Sequence, residues 1–131
     1  MQNVTMILEG GATRGVFTSG VLDFFMEKEW YPSHVIGVSA GSCNAVDYVS
    51  KQPGRTRDCM MNMDLIFDEY PNRIYPFDFD TFFESEITCE IVTTNCQNGQ
   101  AEYMQEHRDR ERLMRLCRAS SSMPLITPIV N

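Results

Sequence analysis

The sequence lacks any long hydrophobic segment. No apolar run approaches the roughly 20 residues that a membrane-spanning helix needs, so a transmembrane protein is not expected. Residues 1–9 also lack the basic stretch that opens a secretory signal peptide, because they contain one acidic residue and no lysine or arginine. These two absences predict a cytoplasmic protein.

Positive charge is scarce as well. The chain has 11 Lys and Arg against 18 Asp and Glu, which gives a formal net charge of −7. An acidic surface repels the phosphate backbone, so nucleic acid is not an expected partner.

Patterns typical of disulfide frameworks and metal sites are also missing. The five cysteines are odd in number and contain no Cys-x-x-Cys pair, and His34 and His107 are the only histidines. A secreted disulfide framework usually has an even number of cysteines, and structural zinc sites use closely spaced ligands. We therefore expect free thiols in a reducing compartment. The sequence implies no metal and no organic cofactor.

The sequence does contain enough apolar material for the core of one domain. The 131 residues are 43% hydrophobic and 22% charged, and a chain of this length buries about two thirds of its unfolded surface. Strand-like and helical segments alternate in the first half, which predicts an α/β fold with a mainly parallel sheet. We expect the first strand to be buried. The apolar residues of the first helix share one stripe, which consists of Val16, Phe17, Val21, Leu22, Phe24 and Phe25. Strands are predicted over 3–8 and 33–38, and helices over 15–29 and 44–51.

The second half of the chain is less regular. Asn98-Gly99 is a strong hairpin signal, with a return strand predicted over 101–104. No clear period is present over 55–63. The other predictions are a short helix over 63–69, a helix over 78–84, a strand over 87–94 and a charged helix over 109–118.

A Gly-x-Ser-x-Gly pentapeptide, Gly37 to Gly41, lies between a predicted strand and a predicted helix. The small residues Gly37 and Gly41 allow the sharp turn that would lift Ser39 out of the strand end. The following helix directs free amides and its positive dipole end toward the serine, which favours a developing negative charge. The pattern predicts that Ser39 is a nucleophile, and a plain tight turn with Ser39 as a helix cap is the alternative.

A second glycine-rich turn, Glu9 to Gly15, also joins a strand to a helix. It does not match the dinucleotide fingerprint, because Ala12 replaces the middle glycine, and it lacks the Gly-Lys-Ser/Thr of a Walker A loop. Parallel βα units place both glycine turns at the same edge of the sheet. An oxyanion hole facing Ser39 is therefore the preferred interpretation, and a non-catalytic module that binds a phosphate or nucleotide remains the alternative.

Three segments together resemble the patatin-like phospholipase family, and its small bacterial members in particular. They are Leu8 to Gly15, Gly37 to Gly41, and the Ala-Ser-Ser-Ser-Met-Pro run over 119–124. The resemblance implies a three-layer α/β/α fold and hydrolysis of ester bonds in lipids by a Ser-Asp dyad without a catalytic histidine. It implies that Ser39 is the nucleophile, and that Gly10, Gly11 and Ala12 form the oxyanion hole. Arg14 would orient that loop or meet an anionic head group, and Gly15, Gly37 and Gly41 would be structural positions of the motifs.

The sequence departs from the family pattern in two ways that matter for function. Ala12 stands where the family usually has a third glycine, although alanine keeps the backbone N–H. The dyad aspartate normally lies in an Asp-Gly motif beyond the 119–124 segment, and the 131 residues contain no such pair. We therefore expect one incomplete patatin-like domain over 1–131, with a possible gap near 57–60. A catalytically dead scaffold is a further alternative. The expected partner is a lipid or another acyl ester, with transient contact at a membrane surface, and the sequence does not predict the oligomeric state.

Overall fold

A computed structural model describes residues 1–62, 73–123, 125–127 and 129–131. The strands are β1 (Gln2–Leu8), β2 (Pro32–Val38), β3 (Thr88–Thr94) and β4 (Ala101–Met104). The α-helices are α1 (Gly15–Glu27), α2 (Ala40–Val49), α3 (Arg55–Met61), α4 (Phe79–Glu84) and α5 (Arg110–Ser120). A short 3-10 turn over Ala12–Arg14 precedes α1.

The four strands form one sheet in the order β1-β2-β3-β4. β2 pairs in parallel with both β1 and β3, whereas β4 returns antiparallel to β3 through the hairpin that Asn98-Gly99 predicted. The predicted α/β class with a mainly parallel sheet is confirmed. Because β1 and β2 are parallel, their carboxyl ends lie at one edge, where Leu8 is the register partner of Gly37.

The core lies between the sheet and helices α2 and α5. Val35 of β2 and Ile91 of β3 are at most 1% exposed, and they belong to a cluster with Val49 of α2 and Leu113 of α5. β-strand side chains alternate between faces, so the neighbouring residues point to the opposite side of the sheet. That side is more exposed and carries both apolar and polar residues: Val38 is 37% exposed there, and His34 Nε2 lies 3.1 Å from Glu90 Oε2.

One expectation about burial is wrong, and a second holds only in part. β1 is the end strand of the described sheet, so most of its side chains are exposed, including Ile7 at 74%, and only Leu8 is buried. The apolar stripe of α1 is buried only in part, because Leu22 is 3% exposed whereas Phe17 is 81% and Phe24 is 54% exposed. The buried residues of α1 are Gly15, Ser19 and Leu22. Small residues allow α1 to approach α2 and α3 closely, and this packing decides which side of α1 faces inward.

Aspartate caps explain where two of the later helices begin. Asp78 Oδ1 accepts a hydrogen bond from the amide of Thr81, and Asp109 Oδ1 accepts one from the amide of Arg112, both at 2.9 Å. Each bond satisfies an amide that has no partner inside its helix. Residues 78 and 109, where the sequence predicted the helices to start, are therefore N-cap residues. Helices α4 and α5 each begin one residue later.

The segment after α2 is more regular than its sequence suggested. Residues 55–61 form α3, and the possible gap near 57–60 remains a prediction. Helical periodicity was missed there because α3 has only seven residues, four of them buried. The short helix predicted over 63–69 lies outside the described residues.

Candidate active site

Ser39 occupies the junction between the end of β2 and the start of α2. Its backbone has φ 56° and ψ −124°, and residues other than glycine rarely adopt a positive φ. Such a conformation costs on the order of 1–3 kcal/mol and persists only where the surroundings impose it. Ser39 is half-buried at this edge. The geometry is that of a strained turn that lifts a serine out of a strand end.

The two glycines of the pentapeptide are required by close contacts of the backbone. A Cβ added at Gly41 would lie 2.7 Å from the carbonyl oxygen of Glu9 and closer still to that of Leu8. A Cβ added at Gly37 would lie 2.7 Å from the carbonyl carbon of Gly41. The first turn of α2 therefore packs directly on the end of β1, which holds the Ser39 turn beside the second glycine-rich turn.

The second turn contacts Ser39 through Gly10. A Cβ added at Gly10 would lie 3.0 Å from Ser39 Cβ and 3.6 Å from Ser39 Oγ, so the absence of a side chain is what allows the approach. Gly11 and Ala12 both have positive φ, at 140° and 52°. The 3-10 turn that follows uses the amides of Arg14 and Gly15 for its own hydrogen bonds. The amides at the start of a helical turn have no partner inside that turn, so they can bind an anion.

Arg14 is an exposed residue that folds over the glycine loop. The position of a Cβ on Gly11 would be 3.1 Å from Arg14 Nε and Nη2. The guanidinium therefore lies against Gly11. This geometry fits an orienting role for Arg14 on the loop.

The starts of α1 and α2 are joined next to the two turns. Asn44 of α2 donates from Nδ2 to the carbonyl oxygen of Gly15 at 3.1 Å. A Cβ on Gly15 would lie 3.0 Å from Ala40 Cβ and 2.9 Å from Met60 Cε. The structure thus brings Ser39, Gly10 and Gly15 together at one edge of the sheet, as the parallel βα pattern predicted.

Acidic residues close to Ser39 in sequence are engaged elsewhere. Asp47 is buried, pairs with Arg55 Nη1 at 2.8 Å, and accepts a hydrogen bond from Thr56 Oγ1 at 2.5 Å. Burial raises the pKa of the Asp47 carboxyl, and the adjacent Arg55 guanidinium opposes that rise. Asp23 Oδ1 accepts the amide of Gly54 at 2.8 Å. These bonds fasten α2 and α1 to the segment around α3, so both carboxylates have structural partners.

The cysteine next to the turn is poorly suited to nucleophilic attack. Burial raises the pKa of the Cys43 thiol to about 11, and the charge of Asp47 adds to the shift. The thiolate is the reactive form, and it is scarce at neutral pH when the pKa is so high. All five cysteines are free thiols. No group of three or more His, Cys, Asp or Glu side chains in the described part of the chain is arranged to hold a metal ion.

Two serines that hold the backbone of Ser39 were missed by motif reasoning. Ser42 donates from Oγ to the carbonyl oxygen of Ser39 at 2.6 Å, and its amide donates to the same oxygen at 2.9 Å. Ser120 accepts a hydrogen bond from the Ser39 amide at 2.8 Å. Ser120 belongs to the 119–124 segment, which the sequence marked only as a family feature.

Comparisons with known proteins agree with this architecture. The fold is an α/β domain with a mainly parallel sheet and a strained serine turn at its carboxyl edge. The family model described as patatin-like phospholipase matches residues 6–87, and the chain belongs to this family. The chain is also similar to an uncharacterized protein, YjjU, of Escherichia coli (strain K12), with 41% identity over 59 residues. That match covers 44% of this chain and 16% of the relative's length.

The described helices are all too short or too polar to cross a membrane.

The strain at Ser39 predicts an unusual order of stability among its variants. Ser39→Gly should be more stable than Ser39→Ala by about 1 kcal/mol, because glycine adopts positive φ without a steric cost. Urea denaturation of the two variants measures the difference.

Ser85 provides the matched control, since its φ of −65° and ψ of 138° suit any residue. There the glycine variant should be less stable than the alanine variant, because glycine has more freedom in the unfolded chain. If the alanine variant were the more stable one at both positions, the claim that the Ser39 backbone is strained would be contradicted.

Proposed function

We propose that this domain is a serine acyl hydrolase that cleaves carboxylic ester bonds of lipids, with Ser39 as the nucleophile. The observation that carries the proposal is the strained Ser39 backbone (φ 56°) in contact with Gly10 at the carboxyl edge of the sheet. Membership of the patatin-like phospholipase family supports the same reaction class.

In the proposed reaction Ser39 Oγ attacks the ester carbonyl while an aspartate accepts the hydroxyl proton. The resulting tetrahedral oxyanion accepts hydrogen bonds from the amides of Gly10, Gly11 and Ala12. The intermediate then collapses to an acyl-serine, and the departing alcohol takes back the proton. Water, activated by the same aspartate, hydrolyses the acyl-serine. In serine hydrolases, losing one oxyanion donor costs about 2.7–4 kcal/mol, so the loop should matter nearly as much as Ser39.

The aspartate of the proposed dyad is expected in the Asp-Gly motif that the family resemblance places beyond residue 124. The other partners of Asp47 and Asp23 support this assignment, because Asp47 pairs with Arg55 and Asp23 accepts the amide of Gly54. A general base must lie within hydrogen-bond reach of the proton that it accepts.

Two further features support a lipid substrate and an intracellular site of action. Phe17, in the first turn of α1, the helix that follows the glycine-rich turn, is 81% exposed. It offers apolar surface to an acyl chain or, transiently, to a membrane. The five free thiols fit the reducing cytoplasm.

A fluorophosphonate probe tests the proposal on the full-length protein. The probe phosphonylates an activated serine, so we expect stoichiometric labelling of the wild type and none of Ser39→Ala. Ser33→Ala is the matched control: Ser33 lies near the start of β2, the strand that ends just before Ser39. It should label like the wild type.

Labelling that persists in Ser39→Ala would remove Ser39 from the role. A wild-type protein that resists the probe but gains thermal stability with nucleotides would instead favour the phosphate-binding alternative. Absence of both responses would favour the catalytically dead scaffold.

A further inference from the structure

The last residue of α5 reaches across the sheet edge to Ser39. Ser120 Oγ accepts a hydrogen bond from the Ser39 amide at 2.8 Å and donates one to the carbonyl oxygen of Val92 at 2.6 Å. Val92 of β3 is the register partner of Val38, which immediately precedes Ser39. The hydroxyl therefore bridges β2 and β3 at the point where β2 turns away into the Ser39 turn.

A hydroxyl is well matched to this position. It has one donor and two acceptor lone pairs, so a single serine can satisfy an amide and a carbonyl together. At the Ser39 turn, the Ser39 amide and the Val92 carbonyl are bridged by the side chain of Ser120, which lies 81 positions after Ser39 in the sequence. Ser42 holds the carbonyl oxygen of Ser39 from within α2. The backbone of Ser39 is thus fixed at both its amide and its carbonyl.

We propose that Ser120 is a positioning residue for the nucleophile: it holds the strained backbone of Ser39 so that Oγ keeps its orientation at the sheet edge. The inference rests on the proposed function of Ser39. It gives the 119–124 segment a physical role, because the segment delivers a hydroxyl to the nucleophile turn. It also commits the Ser39 amide to Ser120, so the oxyanion must be held by other amides, as the Gly10–Ala12 loop allows.

The test is the rate of phosphonylation of the full-length protein under saturating and sub-saturating probe. Ser120→Ala should lower the maximal labelling rate by about 10- to 100-fold, the loss expected when a reacting group is slightly misplaced. The probe concentration that gives half-maximal rate should stay unchanged. Ser120→Thr keeps the hydroxyl and should restore most of the rate.

Ser122→Ala is the matched control. Ser122 also donates a hydroxyl to a backbone carbonyl at the same end of α5, to Arg118 at 2.9 Å, but it is not a partner of Ser39. This variant should label at the wild-type rate. A general loss of helix stability would slow both alanine variants alike and would overturn a specific role for Ser120.

Amide hydrogen exchange of the wild type needs no variant and tests the bond itself. The Ser39 amide should be protected, and rapid exchange would overturn the inference whether or not Ser120→Ala folds. Equal labelling rates for wild type and Ser120→Ala would overturn the inference alone. A wild type that does not label at all would overturn the proposed function, and the positioning role with it.

Discussion

Replacing Gly41 by alanine should destabilise the domain by about 3 kcal/mol or more, at the upper end of the cost of overpacking. The added methyl group would lie 2.7 Å from the carbonyl oxygen of Glu9 and even closer to that of Leu8. Both contacts are with backbone, so no side-chain rotation can relieve them. The start of α2 would have to move away from β1, which would separate the Ser39 turn from the Gly10 loop. Urea denaturation followed by circular dichroism measures the loss.

Gly20→Ala is the matched control for this prediction. Gly20 lies inside α1, and a Cβ added there would meet no atom within 4 Å. Alanine is favoured over glycine in a helix by about 1 kcal/mol, so this variant should be more stable than the wild type. If Gly41→Ala were as stable as Gly20→Ala, the close packing of α2 on β1 would be contradicted.

Ser39→Ala should abolish ester hydrolysis by the full-length protein while leaving it folded. Removing the nucleophile of a serine hydrolase lowers kcat by on the order of 10⁶-fold. The alanine methyl occupies the space of the serine Cβ, so contact with Gly10 is preserved. Turnover of a p-nitrophenyl acyl ester measures activity, and circular dichroism confirms the fold.

Cys43→Ala tests the nearest alternative nucleophile. The thiol of Cys43, with its pKa raised to about 11 by burial, should contribute nothing to turnover at neutral pH. This variant should therefore hydrolyse the ester like the wild type. Full activity in Ser39→Ala, or its loss in Cys43→Ala alone, would contradict the assignment of Ser39.

Local sequence signals predicted most of the fold. Strand and helix order followed from apolar runs separated by glycines, and the β3–β4 hairpin followed from Asn98-Gly99. Burial was harder to predict, because it depends on which elements meet. The apolar run of β1 is typical of a buried central strand, yet β1 is an end strand of the described sheet. The apolar stripe of α1 predicted burial only in part, since Leu22 is buried, Phe17 is exposed, and the small residue Ser19 is buried as well.

Part of the candidate site could be predicted from the sequence and part could not. The glycines at 37 and 41 and the serine between them form a local sequence pattern, which made the turn recognisable even though the contacts of Gly41 are with the distant backbone of Leu8 and Glu9. Ser120 could not be found by such reasoning, because its bond to Ser39 joins positions 81 residues apart. The 119–124 segment was recognised only as part of the family resemblance. The packing of α5 on β3 is what places the Ser120 hydroxyl beside the Ser39 turn.

The central claim is that Ser39 and the Gly10–Ala12 loop form one reactive centre. A crystal structure of the full-length protein after reaction with a fluorophosphonate tests it most directly. We predict a covalent bond from Ser39 Oγ to phosphorus, with the phosphonyl oxygen about 3 Å from amide nitrogens of Gly10, Gly11 or Ala12. A phosphonate on another residue, or one on Ser39 whose oxygen points away from that loop, would contradict the account.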